Sequence, residues 1–405
     1  MRKFIIVAAL LAAQIQTSQA QTFEAINKWA ATEYADYRKA HNEAFANAPL
    51  SRADAEKAKA TLEQLWHKNA QAQYAQASNE ELITRGDLKL KFAKRIYGQK
   101  PADGYSLYIS MHGGGSAPSK VNDQQWANQI RLYTPQEGVY IAPRAPWDDW
   151  NMWFKPGLDE LFEMLIECAV STMGVNPDKV YLLGYSAGGD GVWRMAPRMA
   201  DRWAAASMMA GHPGEAHQES LRNTPFMIWM GENDSAYNRN KLAVHHGKIM
   251  DSLQTADKAG YIHETHIIEG KGHWMQRADT MAISWMAKHC RNPYPDRVVW
   301  RQEEVTRRDF YWLGIPENQE CRHKMTVIAE YDGNTIDIEH CDYQCLTLYL
   351  NDQMMNLDKP ITVRYKGKKI FKGKVTRTFS TMSKTLAARG DLRYIFPAKL
   401  EIKLQ

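Results

Sequence analysis

Between residues 85 and 295, short apolar runs alternate with longer stretches whose apolar residues recur every three or four positions. The runs Leu88–Tyr97, Tyr105–His112, Gly138–Ala142, Val180–Gly184, Ala204–Ala210, Pro225–Gly231 and Ile262–Ile268 predict strands. The periodic stretches Leu158–Met173, Gly188–Met199, Lys241–Ala259 and Arg277–His289 predict helices. Alternation of this kind builds a mostly parallel α/β sheet covered by helices on both faces. The chain ahead of it reads as helix. Phe23, Ile26, Trp29, Ala30 and Tyr34 follow helical spacing, and Ala53 to Ala77 lacks Pro and Gly. Pro49-Leu50-Ser51 breaks the two stretches, with Ser51 as an N-cap. Past residue 300 the helical period stops. Lys324–Tyr331, Thr335–Glu339, Cys345–Leu350, Pro360–Tyr365, Ile370–Val375 and Ile395–Leu404 predict strands, joined by turns at Asp332-Gly333-Asn334 and Lys366-Gly367-Lys368. A small β-sandwich of roughly 100 residues is expected there.

The first twenty residues read as an address. Arg2 and Lys3 precede the apolar run Phe4–Ala13, and Ser18-Gln19-Ala20 sets small residues at the −3 and −1 positions of a cleavage site. The run is too short to span a bilayer, and residue 21 is Gln, so no lipid-anchored cysteine is suggested. The expected organisation is a signal peptide over 1–20, a helical extension over 21–80, an α/β unit over 81–298 and a β-rich unit over 299–405. The mature protein is then secreted or periplasmic, without membrane insertion.

Hydrophobic residues at 44% and charged residues at 24% support a large core and argue against wholesale disorder. The formal charge of +5, reduced to +3 without Arg2 and Lys3, is too mild to mark nucleic acid as the main partner. Oligomeric state is not legible. Of five cysteines, Cys168 lies in an apolar run and reads as a buried hydrophobe. Cys321, Cys341 and Cys345 lie close enough for one local disulfide, and their spacing is too loose for a zinc site. An odd number leaves at least one thiol unpaired or intermolecular.

The strongest chemical signal is Gly184-Tyr185-Ser186-Ala187-Gly188, set between an apolar strand and a helix. A tight strand-to-helix turn needs small flanking residues and lifts the serine to the top of the sheet. The helix behind it favours developing negative charge at its N-terminus. The second signal is His112-Gly113-Gly114-Gly115, at the end of another strand. Its N–H groups, at Gly113 and Gly114, can converge with that of Ala187 on an oxyanion. A serine nucleophile needs a base, and the base needs an orienting acid. Asp234 follows the strand Pro225–Gly231, with Glu232 as its rival. His273 follows the strand Ile262–Ile268 in a glycine-rich loop. His263 and His266 lie in a strand and His245 and His246 in a helix, so they fit worse; His212 is placed to line the pocket. Such serine chemistry calls for no metal and no organic cofactor.

Ser186, Asp234 and His273, with the glycine loop after His112, resemble an α/β-hydrolase over about 85–290. Tyr108-Ile109-Ser110-Met111-His112-Gly113-Gly114-Gly115 and Tyr140-Ile141-Ala142-Pro143-Arg144 are similar to secreted carboxylesterases grouped with feruloyl esterases and polyhydroxybutyrate depolymerases. The order of helical extension, hydrolase and β-rich unit resembles bacterial esterases of plant cell-wall degradation, some of which are pectin methylesterases. The resemblance implies ester hydrolysis on a polysaccharide or oligosaccharide, with methyl esters of pectin first. Acetyl or feruloyl esters of xylan are the alternative. A polysaccharide-binding protein with a vestigial hydrolase is an alternative of another class.

Two further segments bear on substrate. Pro146 to Phe154 carries Trp147, Trp150, Asn151 and Trp153 beyond a strand end, and Trp274 adjoins His273. Aromatic rings with interspersed polar groups suit a sugar face, and an inward-packed structural loop is the competing reading. His112 is expected at the same pocket, with Asn122, Gln125 and Trp126 as added contacts. Arg364, Lys366, Lys368, Lys369, Lys372, Lys374 and Arg377 form a basic hairpin. It could steer an anionic chain or serve as a lysine-protected sheet edge.

Overall fold

The computed structural model describes residues 21–404; the expected signal peptide lies outside the described residues. The chain opens with helix α1 over 21–30, then turns, then the long helix α2 (Arg52–Glu80). The Ser51 hydroxyl caps α2 by accepting the Asp54 N–H at 3.1 Å.

Strands β1 (Leu82–Arg85), β2 (Leu88–Tyr97), β3 (Tyr105–Met111), β4 (Gly138–Arg144), β5 (Val175–Tyr185), β6 (Ala205–Met209), β7 (Phe226–Gly231) and β8 (His263–Ile268) form one sheet, in the order β1-β2-β4-β3-β5-β6-β7-β8. From β3 to β8 every pairing is parallel, and β1 and β2 add an antiparallel edge. This is the α/β-hydrolase arrangement. Strands β6 and β7 are buried at every position, so both their faces need cover. Helices α3 (Ser119–Gln129), α4 (Leu158–Met173), α5 (Ala187–Arg198), α6 (Arg239–Ala256) and α7 (Met281–Met286) connect and flank the strands. Helix α2 packs on α4, where the Tyr74 hydroxyl donates to Glu167 at 3.0 Å.

The C-terminal part holds two sheets over one apolar cluster. Strands β9 (Arg297–Arg301), β10 (Asp309–Phe310), β11 (Leu313–Gly314), β12 (Thr326–Asp332), β13 (Thr335–Cys341), β14 (Cys345–Leu350), β15 (Ile361–Tyr365) and β16 (Lys368–Gly373) precede helix α8 (Phe379–Arg389) and strand β17 (Ala398–Lys403). The sheets run β16-β15-β13-β12-β9 and β10-β11-β14-β17. Val298, Val327, Ile338 and Val363 meet Leu313, Leu348 and Ala398 between them.

Three expectations need correction here. Strand β9 pairs with β12, so a boundary at 298/299 cuts a strand; the stiff Pro293–Pro295 stretch is the physical joint. Helices do not end at 300, because α8 returns to the N-terminal extension. Phe379 packs against Trp29 and Phe45, with ring centroids 5.9 Å from each. Backbone bonds join Ser380 to Ala46 and Leu50 to Arg377. Third, all five cysteines are free thiols: Cys341 ends a strand of one sheet and Cys345 opens a strand of the other.

Between the main sheet and the C-terminal sheets lies a sealed charge network. Arg198, Arg202, Arg291, Arg307 and Arg389 face Asp159, Glu163, Asp178, Asp201 and Asp391. Asp391 accepts from Arg202 at 2.6 Å and from Arg291 at 2.7 Å. The guanidinium groups of Arg202, Arg291 and Arg389 surround the ring of Tyr394, at 5.7, 5.2 and 4.0 Å. The two parts are therefore joined by paired charge as well as by chain.

Candidate active site

Ser186 stands at φ 57°, ψ −121°, a conformation a side chain adopts only under strain of ~1–3 kcal/mol. The surrounding backbones cross so closely that only glycine fits. A Cβ on Gly184 would lie 2.3 Å from the Gly188 carbonyl oxygen, and one on Gly188 would lie 2.1 Å from that of Met111. The Ser186 N–H donates to Met209 O on β6 at 2.9 Å, and its carbonyl accepts the Asp190 N–H at 2.9 Å. The turn is thus fixed from the sheet and from helix α5.

The acid and base loops, after β7 and β8, are zipped together. Asn233 N–H donates to Lys271 O at 2.8 Å, and Gly270 N–H donates to the Glu232 carboxylate at 2.8 Å. A Cβ on Gly231 would strike Gly272 O at 2.1 Å. The result places His273 Nε2 2.9 Å from Ser186 Oγ and His273 Nδ1 2.7 Å from Asp234 Oδ2. Asp234 is buried, while the His273 side chain is 43% exposed. Glu232 braces the histidine loop and does not meet the imidazole. His263 and His266 bond to Asp251 and Glu264, and His246 packs on Trp193, away from Ser186.

Gly113 lies against the serine, with a Cβ there falling 3.1 Å from Ser186 Cβ. The N–H groups of Gly113 and Gly114 donate to nothing among the described residues. That of Ala187 opens α5, where no intrahelical acceptor exists. Gly115 is different: its N–H is taken by Asn122 Oδ1 at 2.9 Å. Asn122 is buried on α3 and bonds onward to Asp148 at 2.7 Å, so it shapes the loop and adds no pocket contact. Trp126 likewise spends its N–H on Ala142 O at 2.9 Å.

Two expected substrate contacts are corrected. His112 is fully buried; its Nε2 accepts the Ala145 N–H at 3.1 Å, so its Nδ1–H donates to Gly113 O at 2.6 Å. Burial pushes this imidazole down to about 4, and it braces the glycine loop as a neutral ring. Trp153 is also fully buried, donating to His112 O at 2.8 Å. Trp150 and Trp274 remain 63% and 50% exposed, Trp150 against Gly115 of the glycine loop and Trp274 against Tyr185. Asn151, next to Trp150 in the chain, is half-buried.

Two residues escaped the sequence reading. Tyr185, the residue before the serine, donates its hydroxyl to His273 O at 2.7 Å and accepts the Met275 N–H at 3.0 Å. It holds the base loop over the nucleophile. Asp190, one turn into α5, accepts the His212 N–H at 2.6 Å. Burial pushes Asp190 up to about 6, opposed by the His212 N–H and the nearby charges of Arg239, Arg194 and His273. Arg239 also lies 3.8 Å from the free oxygen of Asp234.

No family model matches this sequence, and no curated protein matches it. Solved structures do resemble part of it. A thermostable esterase is similar over 52% of this chain at 17% identity and TM-score 0.39; the aligned part is 62% of that protein's length. A ferulic acid esterase is similar over 51% of this chain and 96% of its own, at 15% identity and TM-score 0.36. Esterase 2 of Thermogutta terrifontis, solved phosphorylated by paraoxon, covers 51% and 88%, at 18% identity and TM-score 0.35. At these identities the functional reading rests on the geometry of the site.

Proposed function

We propose that this chain is a serine carboxylesterase acting on an esterified polysaccharide, with methyl-esterified pectin as the first substrate to test. The observation that carries the reaction is the continuous line from Ser186 Oγ through His273 to buried Asp234, at 2.9 and 2.7 Å. Ser186 attacks the ester carbonyl as His273 Nε2 takes its proton, and Asp234 holds Nδ1–H in the productive tautomer. The N–H groups of Gly113, Gly114 and Ala187 receive the oxyanion. Protonated His273 returns its proton to the leaving alcohol. A water activated the same way then releases the acid and frees Ser186. A vestigial domain kept only for sugar binding has no use for this alignment.

The pectin reading is supported by two features. Trp150, against the glycine loop, and Trp274, next to His273, are exposed and offer sugar-stacking faces. Lys366, Lys368, Lys369, Lys372 and Lys374 make no ion pair among the described residues, on the edge hairpin β15–β16. That hairpin is smaller than its sequence suggests, since Arg377 is buried against Asp352 and Asp358 and Arg364 lies 3.7 Å from Asp337. The test offers the enzyme methylated pectin, acetylated xylan and feruloylated xylan, and measures methanol, acetate and ferulate. Methanol release dominating by tenfold or more supports pectin. Dominant acetate or ferulate moves the substrate to xylan, and no release, with no turnover of a nitrophenyl ester, removes the enzyme reading.

A further inference from the structure

Apart from the triad, three metal-ligating side chains converge where the loop after β6 meets the C-terminal sheets. His217 lies on that loop, Glu303 two residues past β9, and His323 three residues before β12. One ligand atom from each lies within 4.8 Å of the other two. His217 Nδ1 is 3.7 Å from Glu303 Oε2. Glu303 is 1% exposed, and neither of its carboxylate oxygens has a hydrogen-bond partner. His217 Nδ1 and His323 Nε2 are also shielded from solvent without partners.

Four orphaned polar atoms in one place are costly unless something satisfies them together. The nearby guanidinium groups act on Glu303 only through space: Arg301 bonds Glu219 at 3.2 Å and Arg198 bonds Asp159 at 2.6 Å, and neither bonds the Glu303 carboxylate. Two imidazoles and a carboxylate are the donor set of a divalent transition metal, zinc above all. Bonds of ~2.0–2.1 Å at tetrahedral angles set donors ~3.3 Å apart. The His217–Glu303 separation is near that already, and side-chain rotation can bring in His323.

We infer that His217, Glu303 and His323 bind one zinc ion, which cross-links the loop after β6 to the C-terminal unit, with a fourth position left for water. None of the three touches Ser186, Asp234 or His273, so the ion is structural with respect to ester hydrolysis. Chain spacing concealed the site, because its ligands are far apart in sequence and meet only across the junction.

The test uses the full mature chain with a tag free of histidine, grown with zinc and analysed for metal after gel filtration. About one zinc per chain is expected. Stripping with dipicolinate should lower the melting temperature by on the order of 5 °C, and zinc in hundredfold excess over its dissociation constant should restore it. Glu303→Gln and His323→Ala should hold no zinc and show no such response. Nitrophenyl ester turnover should stay within about twofold throughout. If Glu303→Gln does not fold, His323→Ala and cobalt(II) substitution carry the test: wild type should show the visible bands of tetrahedral cobalt and the variant should not. A stripped wild type indifferent to zinc, a colourless cobalt form, or a His323→Ala variant with full zinc content would each overturn the site.

Discussion

Two polar clusters in this chain use the same kinds of residue to opposite ends. At the rim of the main sheet, Asp234 is sealed, His273 is half open and Ser186 Oγ has one protein neighbour to bond with. At the junction with the C-terminal sheets, five arginines and five carboxylates close on one another, and Arg198, Arg202, Arg291, Asp201 and Asp391 are almost wholly enclosed. The first cluster is a line with a free end, and a substrate can complete it. The second is shut away from solvent, and its strength goes into the relation between two parts of the molecule. What separates the two clusters is access, not residue type: one ends at solvent, and the other is shut from it.

The comparison is broken most severely at the free end. Ser186→Ala should lower kcat/KM for a nitrophenyl ester by on the order of 10³-fold or more while the melting temperature stays within a few degrees. Asp234→Asn should cost a comparable factor, because an amide cannot fix the tautomer of His273, whereas Glu232→Gln should cost about threefold or less. Steady-state kinetics on the three variants decide it, and a crippled Glu232→Gln would reassign the acid.

The closed cluster predicts the reverse split. Asp391→Asn leaves Arg202 and Arg291 without their shared carboxylate and should cost about 3–5 kcal/mol in stability. Turnover per folded molecule should be unchanged. Denaturant melts read alongside active-site titration would show it; lost turnover with unchanged stability would mean the junction serves the chemistry.

A pH series sharpens the contrast between paired and unpaired burial. Burial alone would raise the Asp391 carboxyl, but Arg291 and Arg202 beside it hold it well below the usual range. A depressed acid stabilises the fold above its unfolded pKa of ~3.9, and that contribution disappears as pH falls below it. His246 is buried with its Nδ1 unpartnered, and burial, aided by the neighbouring His245, pushes it down to about 4. Its unfolded value is ~6.5, so the unfolded chain takes up the proton first. The stability it confers is therefore whole above ~6.5 and is lost as pH falls towards 4. The stability of wild type relative to His246→Gln should be flat above pH 7 and drop by up to ~3 kcal/mol by pH 4. A constant difference across that range would show that the imidazole titrates normally.

The smallest effect concerns the hairpin. Replacing Lys366, Lys368 and Lys372 by Gln should raise KM on partly esterified pectin by about two- to fivefold at low salt and leave a neutral ester untouched. If both substrates respond alike, the lysines only keep the edge soluble.

Much of the fold was legible because β3, β4, β6, β7 and the second half of β5 are apolar runs and helix α4 is strongly periodic. Helix α3 was not legible: Ser119–Gln129 holds few apolar residues, and it is kept by Asn122 and Trp126 rather than by an apolar stripe. The nucleophile was legible because its turn admits little but glycine, which leaves a mark in the chain. The acid stayed divided between Asp234 and Glu232 until geometry separated them, since both sit in one short loop. His112 and Trp153 were misread for one reason. Composition shows that an imidazole or an indole is present, but not whether it faces out, and Trp150 and Trp153 lie three apart with opposite exposures. The arginine network left no local signature, because its members are scattered from Asp159 to Asp391.

Synthesis runs from the N-terminus, which gives the return of helix α8 a consequence in time. Trp29 and Phe45 emerge from the ribosome early, yet the ring they pack against, Phe379, arrives more than three hundred residues later. Until then the nascent chain keeps an unclosed apolar surface on the helical extension, exposed to chaperones. A chain cut near residue 300 to isolate the α/β unit would remain in that unfinished state, with Phe379, Met382 and Leu386 missing from its core. The α/β unit is therefore a region of this molecule rather than a detachable module, and the last tenth of the chain acts as its latch.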